Sequence, residues 1–165
     1  MNDTPGRALP DEGPSGSRAW NVAFHVFYRF LRLVEPLVRS AVANRIPGLD
    51  GVVSLEVPGR RSGRPRRMLV TLLKVGDKWY VGHPNGASPW TRNVEAAGVV
   101  KVDPPARHGP QFRVVRLPRG PERDAVIKAT HDQQPFPANL VYRAASRHIA
   151  AVGVYYRLVP VGADA

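Results

Sequence analysis

The sequence predicts a mainly β domain with flanking helices: about six short antiparallel strands in a small barrel, behind an N-terminal amphipathic helix. Three observations carry this. Short apolar runs recur between residues 52 and 117 and again at 153–159, separated by turns that bear glycine or proline. Two of the runs are joined only by Gly76-Asp77, too short for the crossover helix that a parallel pair needs. Residues 19–45, by contrast, repeat apolar side chains at helical spacing. A chain of 165 residues suits one domain, here 19–165, with 1–18 as a tail.

The tail, MNDTPGRALPDEGPSGSR, is polar and rich in Gly, Pro and Ser, and reads as disordered. In 19–45, Trp20, Phe24, Phe27, Leu31, Val34, Val38 and Ala41 form one stripe, with His25, Arg29, Arg32 and Arg39 mostly off it. Pro36 is expected to kink or divide this helix. The stripe suits packing on the domain. The basic face also suits a membrane surface or the roof of a lipophilic pocket. Strands follow at Val52–Val57, Arg67–Val75 and Lys78–His83, the last two closing a hairpin at Gly76-Asp77. Residues 88–97 form a short helix with Ser88 as N-cap, Pro89 at its first position and Gly98 after its end. Val99–Asp103 and Gln111–Leu117 are strands around a Pro-rich loop. Helices are expected at 121–131 and 137–151, with a closing strand at Gly153–Val159.

Composition narrows the chemistry. There is no cysteine, which excludes disulfides, thiolate zinc sites, iron–sulfur clusters and a cysteine nucleophile. The five histidines show no i, i+4 ligand spacing, so no metal is expected. No signal-peptide pattern and no run of 18 apolar residues is present, so the expected location is the cytoplasm or, through helix 19–45, the inner face of the plasma membrane. The formal net charge is +11, and residues 57–119 hold thirteen basic groups against three acidic ones. Arginine outnumbers lysine twenty to four, as a GC-rich genome would give, but that bias does not explain the missing acids. Such a segment attracts an anion.

The sharpest motif lies inside it: Pro58-Gly59-Arg60-Arg61-Ser62-Gly63-Arg64-Pro65-Arg66-Arg67, between two strands. Its glycines permit tight backbone, its N–H groups can form an anion nest, and its guanidiniums add forked, charge-assisted bonds. Taken alone, an Arg-rich turn also suits a solvated loop. The Gly-Arg-Pro core is similar to minor-groove hooks, but those lie in flexible tails and this one is pinned between strands, so no nucleic-acid partner is expected. A second cluster, Gly82-His83-Pro84-Asn85-Gly86-Ala87-Ser88-Pro89-Trp90-Thr91-Arg92-Asn93, leads from a strand through a loop into a capped helix. Trp90 suits a flat wall for a ring or a core anchor, and Asn93 suits a cap.

Together the two clusters resemble the deazaflavin-dependent nitroreductase family, mostly actinobacterial reductases that use coenzyme F-420. The pattern is Gly-Arg-(Arg/Lys)-(Ser/Thr)-Gly-x-Pro-Arg, a hairpin, a Gly-bearing loop, then Trp-x-x-Asn-(Leu/Val)-x-Ala. It is matched by Gly59–Arg66, Gly82–Gly86 and Trp90–Ala96. The resemblance covers about residues 50–103 and implies a split β-barrel like that of flavin reductases. Residues 50–118 would be the cofactor-binding core, with helices and a closing strand over 120–160. It implies that Arg60, Arg61, Ser62, Gly63 and Arg66 hold the cofactor's phosphate and acidic tail, and that Met68, Leu69 and Val70 line its ring. His83, Asn85, Gly86, Trp90 and Asn93 would close the site. Many members have Ser-Lys-Gly-Gly where this chain has Pro84-Asn85-Gly86-Ala87, so the lysine charge and serine hydroxyl are gone, and His83 stands one position earlier. The implied reaction is hydride transfer from reduced F-420 to a quinone, a nitro compound or another unsaturated acceptor, with a lipophilic quinone suiting the aromatic N-terminal helix. Tyr142, His83 and His131 are candidate proton donors. FMN or another flavin- or tetrapyrrole-type ligand is the alternative cofactor. Split barrels often form dimers that share a site, and the oligomeric state is left open.

Overall fold

The structure is a computed structural model that describes residues 16–44, 49, 51–103 and 111–162, without the side chains of Leu31, Arg32 and Ala43. The expected tail up to residue 15, the end of the first helix at Arg45, and the Pro-rich loop at 104–110 with His108 lie outside the described residues. A long helix, α1 (Arg18–Ala43), leads into strands β1 (Val52–Pro58), β2 (Pro65–Thr71), β3 (Leu73–Val75) and β4 (Lys78–His83). Helix α2 (Pro89–Ala97) is followed by β5 (Val99–Asp103) and β6 (Gln111–Arg116). Helices α3 (Pro121–Gln133), α4 (Ala138–Ala144) and α5 (Ser146–Val152) precede the last strand, β7 (Val154–Pro160).

All seven strands form one antiparallel sheet in the order β2-β1-β5-β6-β7-β4-β3. Only Leu72 separates β2 from β3, yet they sit at opposite ends of that order. Chain continuity therefore draws the two edges together and curls the sheet into a split barrel. This corrects the single strand expected over 67–75. The chain turns the barrel's corner at Leu72, whose N–H leaves the ladder and bonds Gly51 O at 2.8 Å. The hairpin at Gly76-Asp77 forms as expected, with Val75 opposite Lys78 and Gly76 at φ +59°.

Two other expectations change. Residues 137–151 form two helices, because the backbone leaves helical geometry at the fully buried Ala145 (φ −88°, ψ 10°) and resumes at Ser146. Pro36 lies inside α1 without dividing it. A proline costs a helix one N–H bond and local crowding, and an otherwise continuous 26-residue helix absorbs this.

The core has two compartments. Inside the barrel, Leu55, Val57, Val81, Val94, Val100, Tyr156 and Leu158 pack together, with Met68, Val70 and Trp90 at the margin. Outside, Leu73, Tyr80 and Tyr155 pack under α3–α5 and against Phe24 of α1. Strands β4 and β7 are thus buried on both faces, which is why VYYRLV shows no polar alternation. Each fully buried side chain here contributes roughly 1.5–3 kcal/mol. Gly82 stands opposite Tyr155 across the β4–β7 ladder, and a Cβ there would enter the Tyr155 ring.

Candidate active site

The Arg-rich turn joins β1 to β2 and is closed by its own backbone. Gly59 N–H donates to Arg64 O at 2.9 Å, and Ser62 and Gly63 N–H donate to Gly59 O at 3.2 and 2.8 Å. Arg64 N–H donates to Ser62 Oγ at 3.4 Å, and Gly63 takes the left-handed conformation at φ +64°. With the Arg60 N–H on Asn93, these bonds engage five of the turn's backbone N–H groups within the protein, so they do not form the open nest that was expected. Arg61, Arg64 and Arg66 are exposed, and their side chains have no hydrogen-bond or ion-pair partner among the described residues. Arg67, one residue on, is neutralised by Glu56 directly across the ladder at 2.6 Å.

Helix α2 fastens this turn to the second cluster. Arg60 donates from its backbone N–H and from Nη1 to Asn93 Oδ1, and from Nη1 to Pro89 O, each at 3.3 Å. Arg60 and Asn93 are therefore a strut between turn and helix. The helix begins as expected: Ser88 Oγ accepts from Thr91 N–H, and Thr91 Oγ1 accepts from Ser88 N–H at 2.8 Å. Gly98 ends it at φ +67°. Trp90, on the first turn, reaches the other way, with its ring edge-on to His83 at 6.1 Å between centroids.

His83 is the centre of that cluster. Tyr28 of α1 stacks on it at 4.9 Å with 22° between planes. Its Nδ1 accepts from Asn85 N–H at 3.3 Å. Asn85 in turn accepts from His148 Nε2 at 2.8 Å, which ties the loop to α5. Gly86 is at φ +74°, close against Val152 O. Tyr142 shares a 3.1 Å hydrogen bond with Tyr28, and burial pushes both phenols up, so the pair stays protonated. His131 lies in the last turn of α3, where its carbonyl accepts from Arg143, and makes none of these ring contacts.

Strand β2 places its predicted residues on two faces. Met68 and Val70 stand opposite Leu55 and Val53 and pack on the barrel interior, while Leu69 stands opposite Ser54 on the other side. Three consecutive strand residues do not present side chains to one ligand. The structure thus brings together Arg60, Ser62, Gly63, Trp90 and Asn93 around α2, and His83, Asn85, Trp90 and Tyr142 beneath α1. It separates Leu69 and His131 from both groups. Sequence reading missed Tyr28 and His148. Tyr28 had a signal, since it falls four residues after Phe24 on the inner face of α1. A cleft of about 160 Å³ also flanks the turn, lined by residues that include Glu56, Gly63, Lys101 and Gln111. It is small beside the roughly 300–1,000 Å³ of typical ligand pockets.

Burial lowers His83 to about 4, opposed in part by a backbone hydrogen bond with Gly86. The imidazole is therefore neutral at ordinary pH. Below about pH 6.5 the unfolded chain takes up a proton that folded His83 refuses. Stability is expected to fall by about 3 kcal/mol as pH drops from about 6.5 to about 4. His148, also lowered by burial, acts in the same direction. Urea unfolding across this range measures the loss, and His83→Gln removes most of it. A wild-type profile that is flat over the window would contradict this burial.

The model of the F-420H(2)-dependent quinone reductase family matches residues 30–147. The chain belongs to that family. It is thus an oxidoreductase of the F-420-dependent reductases, and the antiparallel curled sheet is their split-barrel fold. An F-420-H2 dependent reductase (FDR-A) is similar in structure, with TM-score 0.50 and 20% identity, over 66% of this chain and 93% of that one. A chain described as a domain-swapped dimer gives TM-score 0.51 at 16% identity, over 79% of this chain and 98% of that one. HutZ of Vibrio cholerae, a heme storage protein, gives 0.49 at 16% identity over 77% and 89%. No curated protein matches the chain.

Proposed function

We propose that this chain transfers a hydride from reduced F-420 to a lipophilic quinone drawn from a membrane surface. The observation that carries the reading is the β1–β2 turn: three exposed guanidiniums without carboxylate partners among the described residues, braced by α2 against a neutral aromatic stack. F-420 bears a phosphate and a glutamate-rich tail, and its ring is flat and uncharged at the reacting carbon. The residues present fit both ends. Arg61, Arg64 and Arg66 would hold the anionic tail, with Ser62 adding a hydroxyl donor. Met68, Val70, His83 and Trp90 would border the ring. When bound, reduced F-420 supplies the hydride.

The chain's own groups do the rest. Phe24, Phe27 and Tyr28 roof the site and keep water from it. Tyr28 and Tyr142 hold two hydroxyl protons and use one between them, so the other is available to an oxygen of the acceptor. His83, kept neutral by burial, does not add a positive charge that would compete with the tail cradle.

The test presents reduced F-420, reduced FMN and NADPH separately, each with menadione. Oxidation of F-420 alone is expected, and Tyr142→Phe should slow it about tenfold with cofactor affinity unchanged. FMN has one phosphate and no acidic tail, so comparable turnover with reduced FMN would overturn the assignment of the arginines.

A further inference from the structure

We propose that Asn85 is a hydrogen-bond donor of the site whose polarity is fixed from behind by His148, so that its side-chain N–H groups are offered to an oxygen of the bound cofactor. The observation is an asymmetry of partners. Asn85 Oδ1 stands 2.8 Å from His148 Nε2. Asn85 is only partly buried, and its Nδ2 makes no hydrogen bond among the described residues. Nor is Nδ2 enclosed: the enclosed side-chain atoms without a partner among those residues are His131 Nε2, His148 Nδ1 and Tyr155 OH. One end of the carboxamide is therefore committed to α5. The other is open, in the loop that carries His83 and leads to Trp90.

Which end is which depends on His148. An imidazole and a carboxamide pair in two ways: ring N–H to oxygen, or amide N–H to a bare ring nitrogen. His148 is 3% exposed, and burial holds its titration below the usual range, so the neutral ring carries one proton. Its Nδ1 is enclosed without a partner. A proton there would be a buried N–H with no acceptor, and an orphaned N–H is rarer in folded proteins than an orphaned lone pair. The proton is therefore on Nε2, Asn85 Oδ1 accepts it, and both Nδ2 hydrogens stay free. The ring has no room to turn over. Phe24 stacks on it at 5.8 Å with 25° between planes, and a Cβ on Gly16 would come within 2.7 Å of Nδ1. The loop is held too: Pro84 is buried, Asn85 N–H donates to His83 Nδ1, and Gly86 lies against Val152 O. An amide fixed in this way offers hydrogens and no lone pair, so it accepts a carbonyl, phosphate or carboxylate oxygen and rejects an N–H. That the oxygen belongs to F-420 rests on the proposed function; the direction of the amide does not.

The experiment has two parts. In the free protein, nitrogen NMR of the histidines reads the tautomer of His148: Nε2 protonated and Nδ1 bare is the expected result, and the reverse overturns the proposal. The Kd for reduced F-420 is then measured by fluorescence titration in three variants of the full chain. Asn85→Asp keeps an oxygen for His148 but offers the ligand no N–H, so Kd should rise at least about tenfold while Tm moves by less than about 3 °C. His148→Phe keeps the ring and its stack on Phe24 but lets the carboxamide turn, and Kd should rise about fivefold. His148→Gln restores a donor for Asn85 Oδ1 and should stay within about twofold of wild type. Equal losses in the phenylalanine and glutamine variants would mean that His148 acts through packing alone, and would overturn its assigned role. An unmoved Kd in Asn85→Asp overturns the donor, as does a change confined to the KM for menadione. If the wild type does not bind F-420, the proposed function falls together with the cofactor half of this proposal, and the tautomer still decides the direction of the amide.

Discussion

Replacing Arg61 and Arg66 together by alanine is expected to raise the Kd for reduced F-420 about a hundredfold while turnover at saturating cofactor changes less than about twofold. Each guanidinium makes charge-assisted bonds that here stand partly in water, so about tenfold per residue is the lower end of the usual range. The fold has little to lose, because both side chains are exposed and without partners among the described residues. Arg60→Ala is the informative contrast. Its guanidinium braces the turn on Pro89 and Asn93, so its loss should lower stability and disturb Trp90 as well as weaken binding. Added salt should weaken the wild type more than the double variant, since the screened charges have been removed from the latter. Fluorescence titration at low and high salt reads both effects. An unchanged Kd in the double variant would remove the cradle from the account.

What the sequence made legible was local. Gly76-Asp77, the Ser88 cap and Gly98 each fix a boundary by chemistry within a few residues, and β4 and β5 fall at the predicted positions. The order of the Arg-rich turn, the His83 loop and the Trp90 helix was equally plain, because one covalent run of about forty residues carries it. The rest depends on closure. Nothing near Leu72 shows that β2 and β3 lie at opposite ends of the sheet order, because that is set by partners elsewhere in the chain. The bond from Asn85 to His148 spans 63 residues, and that from Tyr28 to Tyr142 spans 114. The turn's backbone bonds were invisible for another reason: the same Gly-Arg-Arg-Ser-Gly sequence permits an open nest or a closed turn, and only the conformation chooses.

Phe24→Ala is expected to cost about 3–5 kcal/mol and to lower Tm by about 10 °C. Phe24 is fully buried and is the hub of α1's packing. Its ring lies 6.1 Å from Trp20, 6.2 Å from Tyr28, 5.9 Å edge-on from Tyr142 and 5.8 Å from His148. A truncation there leaves a cavity under a helix whose outer face makes no contact with the core, so α1 has a route open to it that an internal strand lacks: it can lift. If it lifts, Tyr28 leaves both Tyr142 and His83. His83 then regains water, and its titration should move from about 4 back toward about 6.5, which NMR reads directly. Faster amide exchange should appear in α1 before the sheet. Phe24→Leu keeps most of the volume and should fall between wild type and alanine on both readouts. Lost stability with an unmoved His83 would mean that the core collapses around the cavity while the roof stays down. A shifted His83 with stability nearly intact would mean that α1 is a lid on an independently stable barrel, held closed mainly by this one ring.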